Sequence, residues 1–328
     1  MSLMHMSLYG GILIIAVVIF RSVFIGKLPK NTFLVLWGIA LARLLVPIAI
    51  PSSFSIYTLD ENTGIIRDVL YETPARNLYY LLENPRSTNW CLGLFPGDLQ
   101  IGATICGVCF LIVYLRCMWT FQTSLPVSNH FVDRWLMGYP LNRKITVRQS
   151  DQISSPLTYG FFRSVILMPK NTDWHNEEQL HYVFLHEWKH IQRNDLFIKL
   201  LMVIAVCVHW FNPLVWVMWI LLNRDLELAC DEWVILHSGL QSRSSYALAL
   251  IALEEKRSRP ALLSNHFSRT AIEQRIWSIM KTKKTALFVQ SLAVALVLVV
   301  FLVFATTSSQ AVPGLVEPEP TQAVEAGY

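Results

Sequence analysis

Long apolar segments interrupted by short polar ones make up most of the chain. A helix that crosses a membrane needs about 20 predominantly apolar residues. Four segments meet this requirement, at about 8–25, 32–50, 99–119 and 285–306. A fifth apolar segment, residues 196–222, contains Asn212-Pro213, where a proline breaks a helix. The pattern predicts a mainly α membrane protein with four transmembrane helices.

The polar segments orient the predicted spans, because cytosolic loops carry an excess of Lys and Arg. The first loop holds Arg21, Lys27 and Lys30 and no acid, whereas residues 51–98 hold three arginines and six acids. A basic segment, residues 281–284, precedes the last predicted span. We therefore expect an N-terminal membrane region 1–119 with its N-terminus and the loop 51–98 outside the cell, a cytosolic domain 120–284, a last span 285–306 and an extracellular tail 307–328.

Composition favours a lipid environment for much of the surface. Hydrophobic residues make up 53% of the chain and charged residues only 15%, against about 25% charged in typical globular domains. The net charge of +4 is too small to indicate a nucleic-acid partner, so the lipid bilayer is the expected one. Cys106 and Cys109 form a CxxC, but they lie in an apolar segment without a second pair, which favours inert membrane cysteines.

One polar helix carries candidate metal chemistry. Residues 176–192 are predicted to be helical, and they contain His186-Glu187-Trp188-Lys189-His190. The i, i+4 spacing places both imidazoles on one face, where they can bind one metal ion, and Glu187 lies beside them to polarise a bound water. Because a motif of five residues also arises by chance, a metal site needs the support of a third ligand.

Three acids in a short polar segment are candidates for that third ligand: Asp225, Glu227 and Asp231. Glu227 and Asp231 are four residues apart and share a helix face, so the first can bind metal while the second holds a ligand histidine. A solvated acidic helix is the alternative. Apolar residues on both sides of the segment favour a buried, functional role.

A metal site built in this way constrains the apolar segment 196–222. The chain must leave and return on the same side if Glu227 is to meet His186 and His190. Each half of the segment is about 20 Å long as a helix, shorter than the roughly 30 Å hydrocarbon core. We therefore expect an apolar hairpin that packs within the domain or dips partly into the membrane, rather than a fifth span.

Taken together, these motifs resemble the BlaR1/MecR1 group of integral-membrane gluzincins, peptidase family M56. The matching segments are 155–160, 166–169, 186–190 with Arg193 and Asp195, 210–213, 227–231, 246–247 and 274–276. The resemblance implies a cytosolic α+β zinc-protease domain with a small β-sheet. Two strands are expected around Tyr159-Gly160, one of them an edge strand that binds an extended peptide.

The resemblance also implies roles for individual residues. His186, His190 and Glu227 would bind Zn²⁺, Glu187 would be the general base, and Asp231 would hold a ligand from behind. A further His or Tyr steadies the oxyanion in such enzymes. Tyr246 is the first candidate for that role, followed by His209 and His237.

By the same resemblance, the function is that of a signal-transducing membrane endopeptidase. Its expected substrate is a cytosolic protein, a winged-helix repressor for example. The basic segment 256–269 is interpreted as a solvated linker, with a self-cleavage site there as the alternative hypothesis. The alternatives are a housekeeping membrane protease of the Ste24/HtpX kind and a non-enzymatic signalling scaffold. The sequence leaves the oligomeric state open, with a homodimer as one option.

The predicted extracellular tail gives no basis for direct β-lactam sensing. Residues 307–328 are rich in Pro, Ala and Glu, are expected to be disordered and contain no Ser-x-x-Lys acylation motif. A penicillin-binding sensor domain, which well-known members of the group carry, is therefore not expected here. The activating signal is expected to enter through the loop 51–98, a partner or the membrane.

Overall fold

The computed structural model describes residues 3–46, 50–51, 97–141, 143–257, 265–283, 286–302 and 306–307. Apart from their ends, the predicted loop 51–98 and tail 307–328 lie outside the described residues, as do residues 258–264 of the linker. The predictions made for these three segments therefore stay predictions.

The described chain is mostly helical. Its α-helices are α1 (Leu3–Phe24), α2 (Lys30–Leu45), α3 (Gly97–Gln122), α4 (His130–Gly138), α5 (Glu177–Arg193), α6 (Asp195–Val208), α7 (Pro213–Ser238), α8 (Arg243–Arg257), α9 (Asn265–Lys281) and α10 (Leu287–Val300). The strands are β1 (Ile50–Pro51), β2 (Leu125–Pro126), β3 (Ile145–Ser150), β4 (Leu157–Tyr159), β5 (Ser164–Pro169) and β6 (Thr306–Thr307). Strands β1 and β6 pair in parallel within a separate unit, residues 48–84 and 300–328.

A small mixed sheet has the strand order β2-β3-β5-β4. Strands β3 and β5 are parallel, and the other two pairings are antiparallel. This sheet confirms the expected small β-sheet, including the two strands predicted around Tyr159-Gly160. Gly160 has φ +90°, and a Cβ there would lie 2.2 Å from the carbonyl oxygen of Arg163, so only glycine fits the turn from β4 to β5.

Local sequence signals fix both ends of α5. The Asn176 side chain accepts a hydrogen bond from the backbone N–H of Gln179, and Glu177 and Glu178 occupy the first turn, where negative charge suits the helix dipole. Asn194 ends the helix in the left-handed conformation, with φ 59°. Because α6 starts at the next residue, α5 and α6 are joined by Asn194 alone.

The chain between α6 and α7 breaks at residues 209–212, where the Asn212 side chain caps α7 and Pro213 is its first residue. From there α7 continues without interruption for 26 residues. It packs against α1, α2, α5, α6 and α9, so it is the central helix of this unit. It also carries all three acids that the sequence offered as metal ligands.

Two described helical segments are long and apolar enough to cross a membrane, Met6–Phe24 in α1 and Leu99–Gln122 in α3. The prediction of four spans is therefore wrong for the part of the chain that the structure describes. Helix α2 has 16 residues and α10 has 14, which is about 24 Å and 21 Å, short of the roughly 30 Å hydrocarbon core. Helix α2 ends early because its C-cap, Val46, precedes a proline and adopts an extended backbone.

The close contact between Gly102 of α3 and Trp210 can be tested by adding one methyl group to the glycine. A Cβ at Gly102 of α3 would lie 2.3 Å from the indole ring of Trp210, whereas a Cβ at Gly107 of the same helix meets nothing within 4 Å. We expect Gly102→Ala to destabilise the protein by about 1–3 kcal/mol through overpacking. The measurement is the midpoint of thermal unfolding in detergent micelles.

Gly107→Ala is the matched control, and it is expected to leave stability unchanged or raise it by up to about 1 kcal/mol, since alanine favours a helix. Equal unfolding midpoints for the two variants would contradict the contact between α3 and Trp210.

Candidate active site

Helices α5 and α7 bring together the three residues that the sequence predicted as metal ligands. The Nε2 atoms of His186 and His190 lie 3.1 Å apart. A Glu227 oxygen lies 3.3 Å from the first of these nitrogens and the other lies 3.6 Å from the second. Donor atoms of a tetrahedral zinc site are about 3.3–3.5 Å apart, given bonds of about 2.0–2.2 Å. The donor set therefore fits zinc.

The opposite nitrogen of each histidine is held by a partner. Asp195 Oδ2 lies 2.5 Å from His190 Nδ1, and Arg193 holds this carboxylate with two hydrogen bonds of 2.6 Å. His186 Nδ1 lies 2.8 Å from the Tyr246 hydroxyl oxygen and 3.3 Å from Asp231 Oδ1. When the Nδ1 atoms donate to these acceptors, the Nε2 lone pairs point toward the shared centre.

Asp231 accepts hydrogen bonds from a second layer of residues, which lie behind the candidate metal ligands. Tyr246 donates to Asp231 Oδ1 over 2.6 Å, and Arg275 of α9 donates to both carboxylate oxygens over 2.7 Å. Burial raises the pKa of the Asp231 carboxyl, but the charge and hydrogen bonds of Arg275 outweigh it and hold this pKa well below its usual range. Arg275 also reaches the ligand set, with Nη1 3.3 Å from Glu227 Oε2.

The electrostatics of the site favour a bound cation. Burial lowers the pKa of His190, but the negative charges of Cys230 and Glu227 and the hydrogen bond to Asp195 outweigh burial and raise this pKa to about 10. The surroundings therefore stabilise positive charge at the imidazole. A metal cation at the Nε2 atoms supplies that charge when it displaces the proton.

Glu187 lies beside the two histidines at the wall of a large cleft. Thr158 of strand β4 donates its hydroxyl to Glu187 Oε2 over 2.6 Å. The cleft has a volume of about 970 Å³, and His186, His190 and Glu227 also line it. Glu227 keeps 33% of its side chain exposed, so the cleft gives access to the ligand set from solvent.

The structure separates the three candidate acids of α7. Asp225 points away from the histidines and binds Arg21 and Trp37 instead, because residues two apart lie on opposite sides of a helix. Glu227 and Asp231, four residues apart, both face α5. Of the acids that the sequence left open, Asp225 is therefore not at the site.

The three candidates for the oxyanion role also have different positions. Tyr246 borders the cleft, but its hydroxyl is bound to His186 and Asp231 and the residue is 1% exposed. His209 is buried and binds the carbonyl oxygen of Leu44. The His237 ring stacks on Trp233 with ring centroids 4.7 Å apart, and neither histidine is among the residues that line the cleft.

Cys230 is a nearby metal donor to which the sequence gave no role. Its sulfur lies within 4.8 Å of donor nitrogens of His186 and His190. Burial raises the pKa of the Cys230 thiol, but the charges of both histidines outweigh burial and lower it to about 7. The sulfur, however, lies 3.2 Å from the backbone oxygen of His186 and the residue is fully buried. Glu227, by contrast, is partly exposed and lines the cleft, so a metal ion held by Glu227 would keep an open position toward the cleft.

The remaining site residues that the sequence did not assign are Thr158, Arg193, Asp195 and Arg275. Each of them occurs in a segment that carried the family resemblance, but the sequence alone gave none of them a partner. Of these four residues, Asp195 could most easily have been predicted from the sequence. It lies only five residues after His190, at the start of the next helix.

A cobalt-substituted protein distinguishes the two donor sets. We expect no thiolate-to-cobalt charge-transfer absorption in the near ultraviolet, because Glu227 rather than Cys230 completes the ligand set. Glu227→Gln is expected to change the visible cobalt bands, whereas Cys230→Ser leaves them as in the wild type. A near-ultraviolet band that disappears in Cys230→Ser would contradict this assignment.

Comparison of the sequence with known proteins finds a matching family and several relatives. The family model described as BlaR1 peptidase M56 matches residues 103–279, more than half of the chain. The Regulatory protein BlaR1 of Bacillus licheniformis is 28% identical over 143 residues, which cover 42% of this chain and 24% of that protein. The Methicillin resistance mecR1 protein of Staphylococcus aureus is 30% identical over 94 residues, which cover 28% of this chain and 16% of that protein.

The Regulatory protein BlaR1 of Staphylococcus aureus is 24% identical over 121 residues, 37% of this chain and 21% of that protein. The chain thus spans about a quarter or less of the length of these three relatives. The resemblance drawn from the motifs is confirmed, and the chain belongs to the BlaR1 peptidase M56 family.

Proposed function

We propose that this protein is a membrane-embedded zinc endopeptidase with a regulatory role. The observation that carries the proposal is the convergence of two imidazole nitrogens and the Glu227 carboxylate, 3.1–3.6 Å apart, beside Glu187 in an open cleft. Membership of a peptidase family supports the reaction class. The names of the relatives, a regulatory protein and a resistance protein, support the regulatory role.

His186, His190 and Glu227 would hold a zinc ion, which would supply polarisation of the peptide carbonyl and a more acidic bound water. The residues of the chain do the rest. Glu187 accepts a proton from the attacking water and passes it to the departing amine nitrogen. Thr158 holds Oε2 of Glu187, which leaves Oε1 free for this proton transfer.

The second layer keeps the ligands in place. Tyr246 accepts a hydrogen bond from His186 Nδ1 and donates to Asp231, so we assign it to positioning His186 rather than to the oxyanion. Arg275 fixes Asp231 through a two-pronged contact and lies next to Glu227. Asp195 has the same positioning role for His190.

We propose that the peptidase domain, residues 120–284, lies on the cytosolic side of the membrane. The basic segment 281–284 supports this orientation. A cytosolic regulatory protein such as a repressor is the proposed substrate. The apolar helices α1 and α3 support anchoring of the domain in the bilayer.

Replacement of the proposed base tests the reaction. Glu187→Gln keeps the size of the side chain but cannot accept a proton, so we expect peptidase activity to fall about 10²–10⁴-fold. The measurement is cleavage of an unstructured protein such as casein by purified protein in detergent, with zinc content determined by elemental analysis.

Unchanged zinc content in Glu187→Gln is part of the expected result, because Glu187 is not a metal ligand. Wild-type protein without zinc after gentle purification, or full activity of Glu187→Gln, would rule out the proposed reaction.

Arg275 offers a test of the second layer. Lysine keeps the charge but cannot make the two-pronged contact with Asp231. We expect Arg275→Lys to weaken zinc binding about 10–100-fold, as loss of such supporting contacts does in other metal sites. The measurement is competition with a chelator.

Arg148→Lys is the control for that exchange, because Arg148 contacts Ser124 and does not line the cleft. Its zinc affinity should equal that of the wild type. Equal affinities for both lysine variants would show that the Arg275 contact does not support the metal site.

A further inference from the structure

Helix α7 carries carboxylates on two opposite faces, and Asp225 and Asp231 among them are fully buried. Glu227 and Asp231 face α5 and α9, where they meet the histidines and Arg275. Asp225 and Glu232, seven residues apart and thus two helical turns, face α1 and α2. The helix that carries the third metal ligand is therefore held from behind by the N-terminal helices.

The contact between α1 and α7 is a buried ion pair with several hydrogen bonds. Arg21 Nε lies 2.9 Å and 2.8 Å from the two Asp225 oxygens, and Arg21 Nη2 lies 2.7 Å from Oδ1. The indole N–H of Trp37 in α2 donates to Oδ2 over 2.8 Å. Asp225 is 1% exposed and Arg21 is 8% exposed. Both carboxylate oxygens are thus occupied by donors from two different helices.

A second contact lies two turns further along α7. Glu232 accepts a hydrogen bond of 2.8 Å from the backbone N–H of Lys30, the first residue of α2. The N-cap of α2, Pro29, provides no side-chain hydrogen bond. Glu232 therefore satisfies a helix N-terminus that its own sequence leaves uncapped, and it holds α7 at a second point along the same face.

The contacts of Asp225 and Glu232 restrict the rotation of α7 about its own axis. Buried ion pairs contribute little to stability on average, because desolvation offsets the attraction, but their fixed geometry can select one arrangement. The side chains of a helix extend about 5–6 Å from its axis, so a rotation of about 20° moves a carboxylate by about 2 Å. Zinc ligands tolerate deviations of only about 0.2 Å. A metal site on α7 therefore needs a rotational lock.

We propose that Asp225 is a positioning residue for the metal centre, and that its pair with Arg21 lets the membrane helix α1 set the position of Glu227. This inference rests on the proposed zinc site and extends it. A displacement of α1 that breaks the pair frees α7 to rotate and moves the third ligand away from His186 and His190. A movement of α1 in the membrane can thereby change the geometry of the peptidase site.

The test uses the full chain in detergent or nanodiscs with three variants. Asp225→Asn removes the charge and keeps the shape, Arg21→Lys keeps the charge but loses the two-pronged contact, and Trp37→Phe removes one donor. The readouts are zinc affinity by chelator competition and the visible absorption of the cobalt-substituted protein. Neither readout responds to a loss of stability that leaves the variant folded.

We expect Asp225→Asn to weaken zinc binding about tenfold or more and to shift the cobalt bands, because Glu227 loses its fixed position. Arg21→Lys and Trp37→Phe should change both readouts in the same direction and by less. Where Asp225→Asn fails to fold, these two variants provide the same comparison. In peptidase assays kcat should fall more than KM rises.

Two controls separate positioning from other effects. Gly102→Ala lowers stability at the contact between α3 and Trp210 and should leave zinc affinity and the cobalt spectrum unchanged. Lys27→Met removes a positive charge just after α1 that lies over the Phe24 ring. Within the described residues, Lys27 has no hydrogen bond or ion pair with α7, so this variant should also have no effect.

Two outcomes would overturn the inference, and they can be distinguished. If Asp225→Asn lowers the unfolding midpoint as Gly102→Ala does but keeps wild-type zinc affinity and cobalt bands, the pair is purely structural. If the wild-type protein binds neither zinc nor cobalt, the proposed metal centre fails and the positioning role fails with it.

Discussion

The fully and partly buried carboxylates of helix α7 determine the arrangement of much of the surrounding structure. An ionised carboxylate without a partner in a protein interior costs several kcal/mol, so each of these acids needs a cation or a set of donors. The partners come from helices far apart in sequence: Arg21 of α1 for Asp225, His186 and His190 of α5 for Glu227, and Arg275 of α9 for Asp231. Packing α1, α5 and α9 around α7 is the arrangement that satisfies all of them.

This constraint explains which parts of the molecule could be predicted from the sequence. Residues four apart share one face of a helix. The sequence therefore predicted that His186 and His190 lie on one face of α5 and that Glu227 and Asp231 lie on one face of α7. The break at Asn212-Pro213 follows from proline chemistry, and the structure has its helix boundary there. The partner of Asp225 lies 204 residues away, and no local pattern encodes such a distance. For the same reason Arg275 received no role from the sequence.

The membrane segments were overpredicted for a related reason. Hydropathy measures how apolar a segment is, but the end of a helix depends on single residues such as Val46 before a proline. Helix α2 is also packed against α1 and α7, so its apolar residues have protein partners. The apolar composition of α2, which indicates lipid contact, is thus also explained by its packing against other helices. In α3, by contrast, none of the apolar window is buried by the protein, as expected for a surface that faces lipid.

The junction between α5 and α6 has a consequence for how this chain can vary. Asn194 alone joins the two helices, and its left-handed backbone ends α5 and places Asp195 against His190. An added or deleted residue at this point would change the direction of α6 and separate the carboxylate from the imidazole that it holds. Substitution by glycine keeps the required backbone conformation. We therefore expect this segment to vary in evolution by substitution, without insertions or deletions. The number of residues from His186 to Asp195 is fixed by the need to keep the carboxylate against His190.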